Sequence, residues 1–305
     1  MHIPVLFKEV VEILDPKPGE FVVDLTVDGG GHAFEFAKKI GKTGTILLVD
    51  WDEKVISEAE KKIFSIPENE RPEVILCVSN FARLDEIMNE IEEKEKKEKI
   101  RKPDIFFADL GISSFHLDDP SRGFSFRFDS PLDMRISSEI KLKAKDVVMN
   151  FSEKELSEII EKYGEDKLAR KIAKEIVKQR KIKELSTTKQ LAEIVERVYK
   201  REGIFYTKIH PATRTFQALR IYINREIENL GELLEKIPDF SKSGTRVGII
   251  SFHSLEDRLV KTKFKEWENA GFGKILTRKP VVPSEEEIIL NPRSRSAKFR
   301  AFVFL

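Results

Sequence analysis

The residues best able to do chemistry are concentrated in Asp24-Leu25-Thr26-Val27-Asp28-Gly29-Gly30-Gly31-His32. The preceding Phe21-Val22-Val23 is short and β-branched enough for a buried strand, and the following Ala33-Phe34-Glu35-Phe36-Ala37 has helical spacing. Strand, glycine turn and helix in that order form a ligand-binding corner. Glycines let backbone N–H groups approach a ligand, and the helix presents its positive end to it. Asp50 closes the next apolar run, Thr45-Ile46-Leu47-Leu48-Val49. An acidic residue about 20 positions beyond such a turn reaches ribose hydroxyls in nucleoside-binding α/β folds. Gly41-Lys42-Thr43 imitates the end of a phosphate-binding P-loop, but the earlier glycine position is Phe36 and the segment follows a helix, so nucleotide hydrolysis is not expected.

The elements that must position these residues alternate. A lead-in helix over Val5–Leu14 is closed by Pro16 and Pro18, and strand-like runs then end at Val23, Asp50, Val78 and Asp109. Helical segments to Ile40, over Glu53–Phe64 and from Arg83 to about Lys99 separate them. This alternation predicts an α/β fold with a parallel sheet and helices on both faces. From Ile112 to Asp133 the chain reads as a loop, with Phe115, Phe124, Phe126 and Phe128 interleaved with Arg122 and Arg127. From Lys141 to Arg201 every periodic segment is helical, which predicts an all-helical domain inserted between the fourth and fifth strands. The α/β part resumes with a helix over Thr213–Leu234, a fifth strand Arg246–Ser251 and two extended runs, Lys274–Thr277 and Ala297–Leu305. In the last run Phe299, Ala301 and Val303 share one face while Phe302 and Phe304 take the other, as in a strand covered on both sides. A terminal hairpin after five αβ units fits a methyltransferase sheet better than a dehydrogenase, which repeats its mononucleotide half. The expected domains are 1–114, 115–210 and 211–305.

Length and composition bound the rest. A chain of 305 residues with 40% hydrophobic and 35% charged residues can bury a sizeable core. Its net charge of +1 confines any nucleic-acid contact to local patches. The single cysteine excludes intramolecular disulfides, and no pair among the five histidines has the spacing of a local metal motif. No apolar run approaches membrane-spanning length, so a cytoplasmic protein without membrane contact is expected.

Several further blocks occur in order. They are Gly30-Gly31-His32, Asp109-Leu110-Gly111-Ile112-Ser113-Ser114, Arg122-Gly123-Phe124-Ser125-Phe126 and Pro131-Leu132-Asp133-Met134-Arg135. Pro211-Ala212-Thr213-Arg214-Thr215-Phe216-Gln217, Ser251-Phe252-His253-Ser254-Leu255-Glu256-Asp257 and Asn291-Pro292-Arg293-Ser294-Arg295-Ser296 follow. In these blocks the chain resembles the RsmH (MraW) family, bacterial S-adenosylmethionine-dependent methyltransferases that modify the exocyclic N4 of a cytosine in the decoding region of 16S ribosomal RNA. The resemblance implies a Rossmann-like class I methyltransferase sheet, S-adenosyl-L-methionine as cofactor, 16S rRNA of the small ribosomal subunit as partner, and a substrate-recognition role for the helical insertion. It places Gly30, Gly31 and His32 on the cofactor, Asp50 on its ribose, and Phe81 and Asp109 near its adenine and methionine parts. The family usually has Gly where this chain has Asp28, and Gln where it has His116, a further cofactor-binding position.

A cytosine amine is a poor nucleophile because its lone pair is delocalised into the ring. Acceptors for its hydrogens localise that pair, and Asp109 with the Leu110 carbonyl sits where they are needed. The base must also be unstacked, which makes Phe115, Phe124 and Phe126 with Arg122 candidates for stacking, or else core residues. Arg214, Arg220, Arg293, Arg295 and Lys298 form a candidate phosphate-contacting set. His253, following the fifth strand, either relays a proton, contacts the target nucleotide or bonds neighbouring backbone. The rival reading is a non-catalytic RNA-binding assembly factor on the same fold.

Overall fold

Seven runs of strand-forming residues pair into one sheet in the computed structural model, which describes residues 4–95, 101–113, 116, 117 and 119–305. In chain order they are β1 (Phe21–Asp24), β2 (Thr45–Asp50), β3 (Glu73–Val78), β4 (Ile105–Asp109), β5 (Arg246–Ser251), β6 (Gly273–Ile275) and β7 (Lys298–Phe304). Their spatial order is β3-β2-β1-β4-β5-β7-β6. β1 to β5 are mutually parallel, and β7 runs antiparallel to both neighbours. Val23 lies opposite Leu47 on one side and Phe106 on the other. Helices α1 (Phe7–Leu14), α2 (Gly31–Ile40), α3 (Glu53–Phe64) and α4 (Leu84–Glu95) punctuate the first half. The order reverses at β1, because β2 and β3 build outward on one side and β4 and β5 on the other. Such a switch point opens a crevice outside the carboxyl ends of the strands.

Strand alternation sends successive side chains into two cores. Val23, Leu47, Phe106 and Phe302 belong to one cluster, and Val22, Leu48, Phe107 and Phe299 to the other. The sheet is therefore covered on both faces, as the β7 pattern predicts. Phe299 and Phe302 are each fully buried, and each ring contributes about 1.5–3 kcal/mol by leaving water.

The chain forms two compact units, one of residues 1–113 with 227–305 and one of residues 114–226. Helices Ala144–Asn150, Glu153–Gly164, Ala169–Arg180, Thr188–Arg201 and Ala212–Asn224 build the second. Its helix starts carry local start signals: Ser152 with Glu155, and Thr187 with Gln190, form reciprocal capping boxes. The expected single helix over Thr213–Leu234 is two, Ala212–Asn224 and Glu226–Lys236, because Arg225 takes a left-handed conformation with φ 51°. The compact second unit ends at 226, whereas the expected insertion ends at 210. The side chain of Asn224 binds the Met134 carbonyl at 2.9 Å and accepts the Ile136 N–H at 2.8 Å, and a Cβ on Gly164 would meet the Arg214 carbonyl oxygen at 2.7 Å. These contacts fasten helix Ala212–Asn224 to the insertion. No helix among the described residues is long and apolar enough to cross a membrane.

Candidate active site

Asp24, Asp50 and Asp109 are the last residues of β1, β2 and β4, so the parallel register brings three carboxylates to one edge of the sheet. Asp24 is 1% exposed; its Oδ1 accepts the Thr26 N–H at 3.2 Å, and its Oδ2 has no hydrogen-bond partner among the described residues. Asp50 accepts the Asp52 N–H at 3.0 Å. Asp109 Oδ1 also lacks a partner among the described residues, while its Oδ2 lies 3.8 Å from His32 Nδ1. Asp28, with φ 45°, adds a fourth carboxylate from the turn, and Ser113 donates its hydroxyl to that side chain.

Desolvation governs the charge state of this edge. Burial pushes the Asp24 carboxyl well above the usual carboxylate range, with the charges of Asp50 and Asp28 adding to it. Burial raises Asp50 to about 7 against the opposing Asp52 N–H, and the Asp28 charge adds to the rise. Asp109 is raised well above its usual value by burial first, then by the charges of Asp28, Asp24 and Glu256. Buried acceptors without donors suit a ligand that brings hydroxyl donors and positive charge. S-adenosylmethionine, with a ribose diol, a sulfonium and an ammonium, meets that donor requirement.

The turn itself is shaped by packing. Gly30 has φ 67°, its N–H binds the Val27 carbonyl at 2.8 Å, and a Cβ there would lie 2.9 Å from Ala59 Cα on α3. A Cβ on Gly31 would stand 2.3 Å from Pro4 Cγ. Smallness at these two positions thus serves the approach of α2 to its neighbours as well as any ligand. His32 is buried, its Nε2 is 2.9 Å from the Val5 carbonyl and its ring is 4.7 Å from that of Phe107. A carbonyl only accepts, which assigns the proton to Nε2 and turns Nδ1 toward Asp109. The Asp109 N–H in turn binds the Thr26 hydroxyl, tying β4 to the turn. Leu110 is buried with its N–H on the Ile250 carbonyl at 2.9 Å. Phe81 opens a short 3-10 turn beyond β3, capped by the Asn80 side chain, and packs half-buried against the core.

Residues 1–304 match the model of the MraW methylase family. The chain belongs to that family. It is 44% identical to the ribosomal RNA small subunit methyltransferase H of Caldicellulosiruptor saccharolyticus, over 98% of this chain and 97% of that one. It is 40% identical to the protein of the same name from Koribacter versatilis, over 98% and 93%. Among solved structures, a putative rRNA-methylase from Clostridium thermocellum aligns over 100% of both chains with 12% identity and a TM-score of 0.43. For this member of the MraW methylase family, the order β3-β2-β1-β4-β5-β7-β6 with antiparallel β7 is the Rossmann-like class I methyltransferase sheet.

The remaining candidates of this MraW-family chain divide by unit. In the first, His253 precedes helix Ser254–Asn269 as its N-cap: Nδ1 accepts the Glu256 N–H at 3.3 Å and Nε2 lies 3.1 Å from Glu256 Oε1. Arg293 and Arg295 are exposed on the short turn Pro292–Ser296, whereas Lys298 lies 3.2 Å from Asp257, which also binds Arg300 at 2.6 Å. In the second, Phe124 is buried with its ring 5.6 Å from that of His116, itself 3% exposed. Phe126 packs between His210 at 4.5 Å and Phe216 at 5.0 Å. Arg122 donates to the Ile136 carbonyl, Arg214 to the Glu165 carbonyl, and Arg220 makes two 2.8 Å bonds to Glu226. Phe115 lies outside the described residues. The structure thus gathers Gly30, Gly31, His32, Asp50 and Asp109 at the strand ends of the first unit, while His116 belongs to the second. Asp24 and Thr26 lie within the stretch that the sequence puts first, and Ser113 within one of its motif blocks, but the sequence gives none of the three a role of its own. The signal for Asp24 is a charged residue ending a strand that is otherwise apolar.

Proposed function

We propose that this chain transfers the methyl group of S-adenosyl-L-methionine to N4 of a cytidine in the decoding region, the P site, of 16S rRNA in the small ribosomal subunit. The observation that carries the reading is the buried Asp109 Oδ1, an acceptor with no donor among the described residues, at the switch point of the sheet. The names of the curated relatives support a small-subunit ribosomal RNA substrate. The motif resemblance supports the N4 position. When bound, S-adenosylmethionine supplies an electrophilic methyl group. Asp50 accepts from the ribose hydroxyls, and the turn through Gly30, Gly31 and His32 forms the wall beside it. Asp109 Oδ1 and the Leu110 carbonyl accept the two N4 hydrogens and localise the nitrogen lone pair. Because Asp109 holds a proton more tightly than an ordinary carboxylate, it is suited to take the amine proton as the C–N bond forms. His32, anchored through Nε2 to the Val5 carbonyl, packs beside that carboxylate with Nδ1 3.8 Å from Oδ2. His253 caps its helix and orients Glu256, one of the charges that raise Asp109.

The test is methyl transfer from labelled S-adenosylmethionine to small subunits lacking the modification, followed by nucleoside mass spectrometry that separates N4- from C5-methylcytidine. N4-methylcytidine at one decoding-region position is the expected result. Folded protein that binds RNA and transfers nothing overturns it in favour of an assembly factor.

A further inference from the structure

We propose that the loop 203–211 of the helical unit is a stacking platform for unpaired RNA bases, with the rings of Phe205 and Tyr206 as its faces. This rests on the RNA-methylation reading above and names the part of the chain that holds the substrate strand. Phe205 is 74% exposed and Tyr206 96% exposed, and every residue from Arg201 to His210 is exposed. Two adjacent aromatic rings standing in water on a loop are unusual in a globular chain, where rings of this size supply core. Two of the rings that the sequence pattern singled out are committed elsewhere: Phe124 packs near His116, and Phe126 lies between His210 and Phe216.

The same Phe126–His210 contact ties the loop to residues 126–128, where Phe128 is 55% exposed beside the exposed Arg127. Lys208 lies within the loop, and no acidic residue occurs between Gly203 and Pro211; Asp129 is the acid that adjoins Phe128. Exposed rings flanked by cations are the composition that binds single strands, because every base offers a π-face and every linkage a phosphate. A protein partner would have to provide a pocket for each projecting ring, whereas a base needs only one open face. Unstacked nucleotides around a target base are what a base-modifying enzyme must hold.

The experiment uses the full chain and a fluorescent single-stranded RNA of decoding-region sequence, read by anisotropy, with methyl transfer to small subunits read in parallel. Phe205→Ala with Tyr206→Ala weakens RNA binding by about tenfold per ring lost and raises KM for the subunit, while S-adenosylmethionine affinity and the melting midpoint stay unchanged. Phe205→Leu with Tyr206→Leu keeps apolar bulk and loses the π-faces, so it is as weak as the alanine pair. A 5-iodouridine probe cross-links to the peptide carrying Phe205 and Tyr206. Wild-type affinity in the alanine pair overturns the proposal, and full affinity in the leucine pair overturns stacking as its basis. Loss of subunit binding with undiminished affinity for naked RNA would assign the loop to a protein instead. Failure of the wild-type chain both to bind RNA and to transfer a methyl group would overturn the RNA-methylation reading itself.

Discussion

At the carboxyl ends of β1 and β4, acidic oxygens are buried without hydrogen-bond donors among the described residues, whereas in residues 203–211 aromatic rings stand in water. Each arrangement destabilises the protein alone, one by desolvating charge and the other by hydrating apolar surface. A ligand offsets each cost in a different way. The strand ends ask for a small molecule with fixed donors and positive charge, and a paired sheet is a rigid frame for holding it. The loop asks for planar faces and tolerates many of them. Precision of chemistry and breadth of grip are thus assigned to different secondary structure.

Removal of the central acceptor gives the largest expected effect. Asp109→Asn lowers single-turnover methyl transfer at saturating cofactor by about 10²–10³-fold, as loss of a transition-state hydrogen-bonding group does. A variant that keeps the full rate breaks the contrast, because the buried acid would then be structural. Asp50→Asn comes next, with an expected loss of about tenfold in S-adenosylmethionine affinity, measured by calorimetry.

The same substitution has the opposite effect on the ligand-free fold. The folded pKa of Asp50, about 7, is raised above its ordinary 3.8, so the unfolded chain releases this proton first. Its contribution to stability is complete below about pH 4 and falls as pH rises toward 7. Asp50→Asn therefore melts at a higher temperature than wild type at pH 8, with a smaller difference at pH 5, by scanning calorimetry. Cofactor affinity of the wild-type chain should in turn fall from pH 8 to pH 6 as Asp50 takes up a proton, while Asp50→Asn shows no such component. The smallest effect concerns the exposed cations. Arg293→Gln with Arg295→Gln reduces the salt slope of RNA binding by about 1.4, the value for two single-strand phosphate contacts, and leaves cofactor affinity unchanged.

Much of the α/β unit was legible because β-branched runs end in aspartates and periodic helices separate them. Asp50 and Asp109 stand out on that basis. Asp24 is less legible, because a carboxylate following Phe21-Val22-Val23 reads as the start of a turn until β1 is known to lie between β2 and β4. The break at Arg225 carries no glycine or proline, so the pattern from Thr213 to Leu234 reads as one helix. His253 was open to a cap reading through Glu256 three residues on, the capping-box spacing. Which phenylalanines face water is a property of tertiary packing, and local spacing in Arg122–Phe128 does not contain it. For that reason the sequence offers Phe115, Phe124 and Phe126 as stacking or core rings alike, and does not distinguish the exposed Phe205 and Tyr206.

The near-contact of α2 with α3 has a consequence for descent. Since an added methyl at Gly30 would press on the backbone of Ala59, and one at Gly31 on Pro4, a larger residue at either position requires its neighbour to shift. Enlargement of the turn becomes viable only in a lineage whose third helix or leading segment has already drawn back. The history of the ligand loop is therefore written partly in residues that no ligand touches.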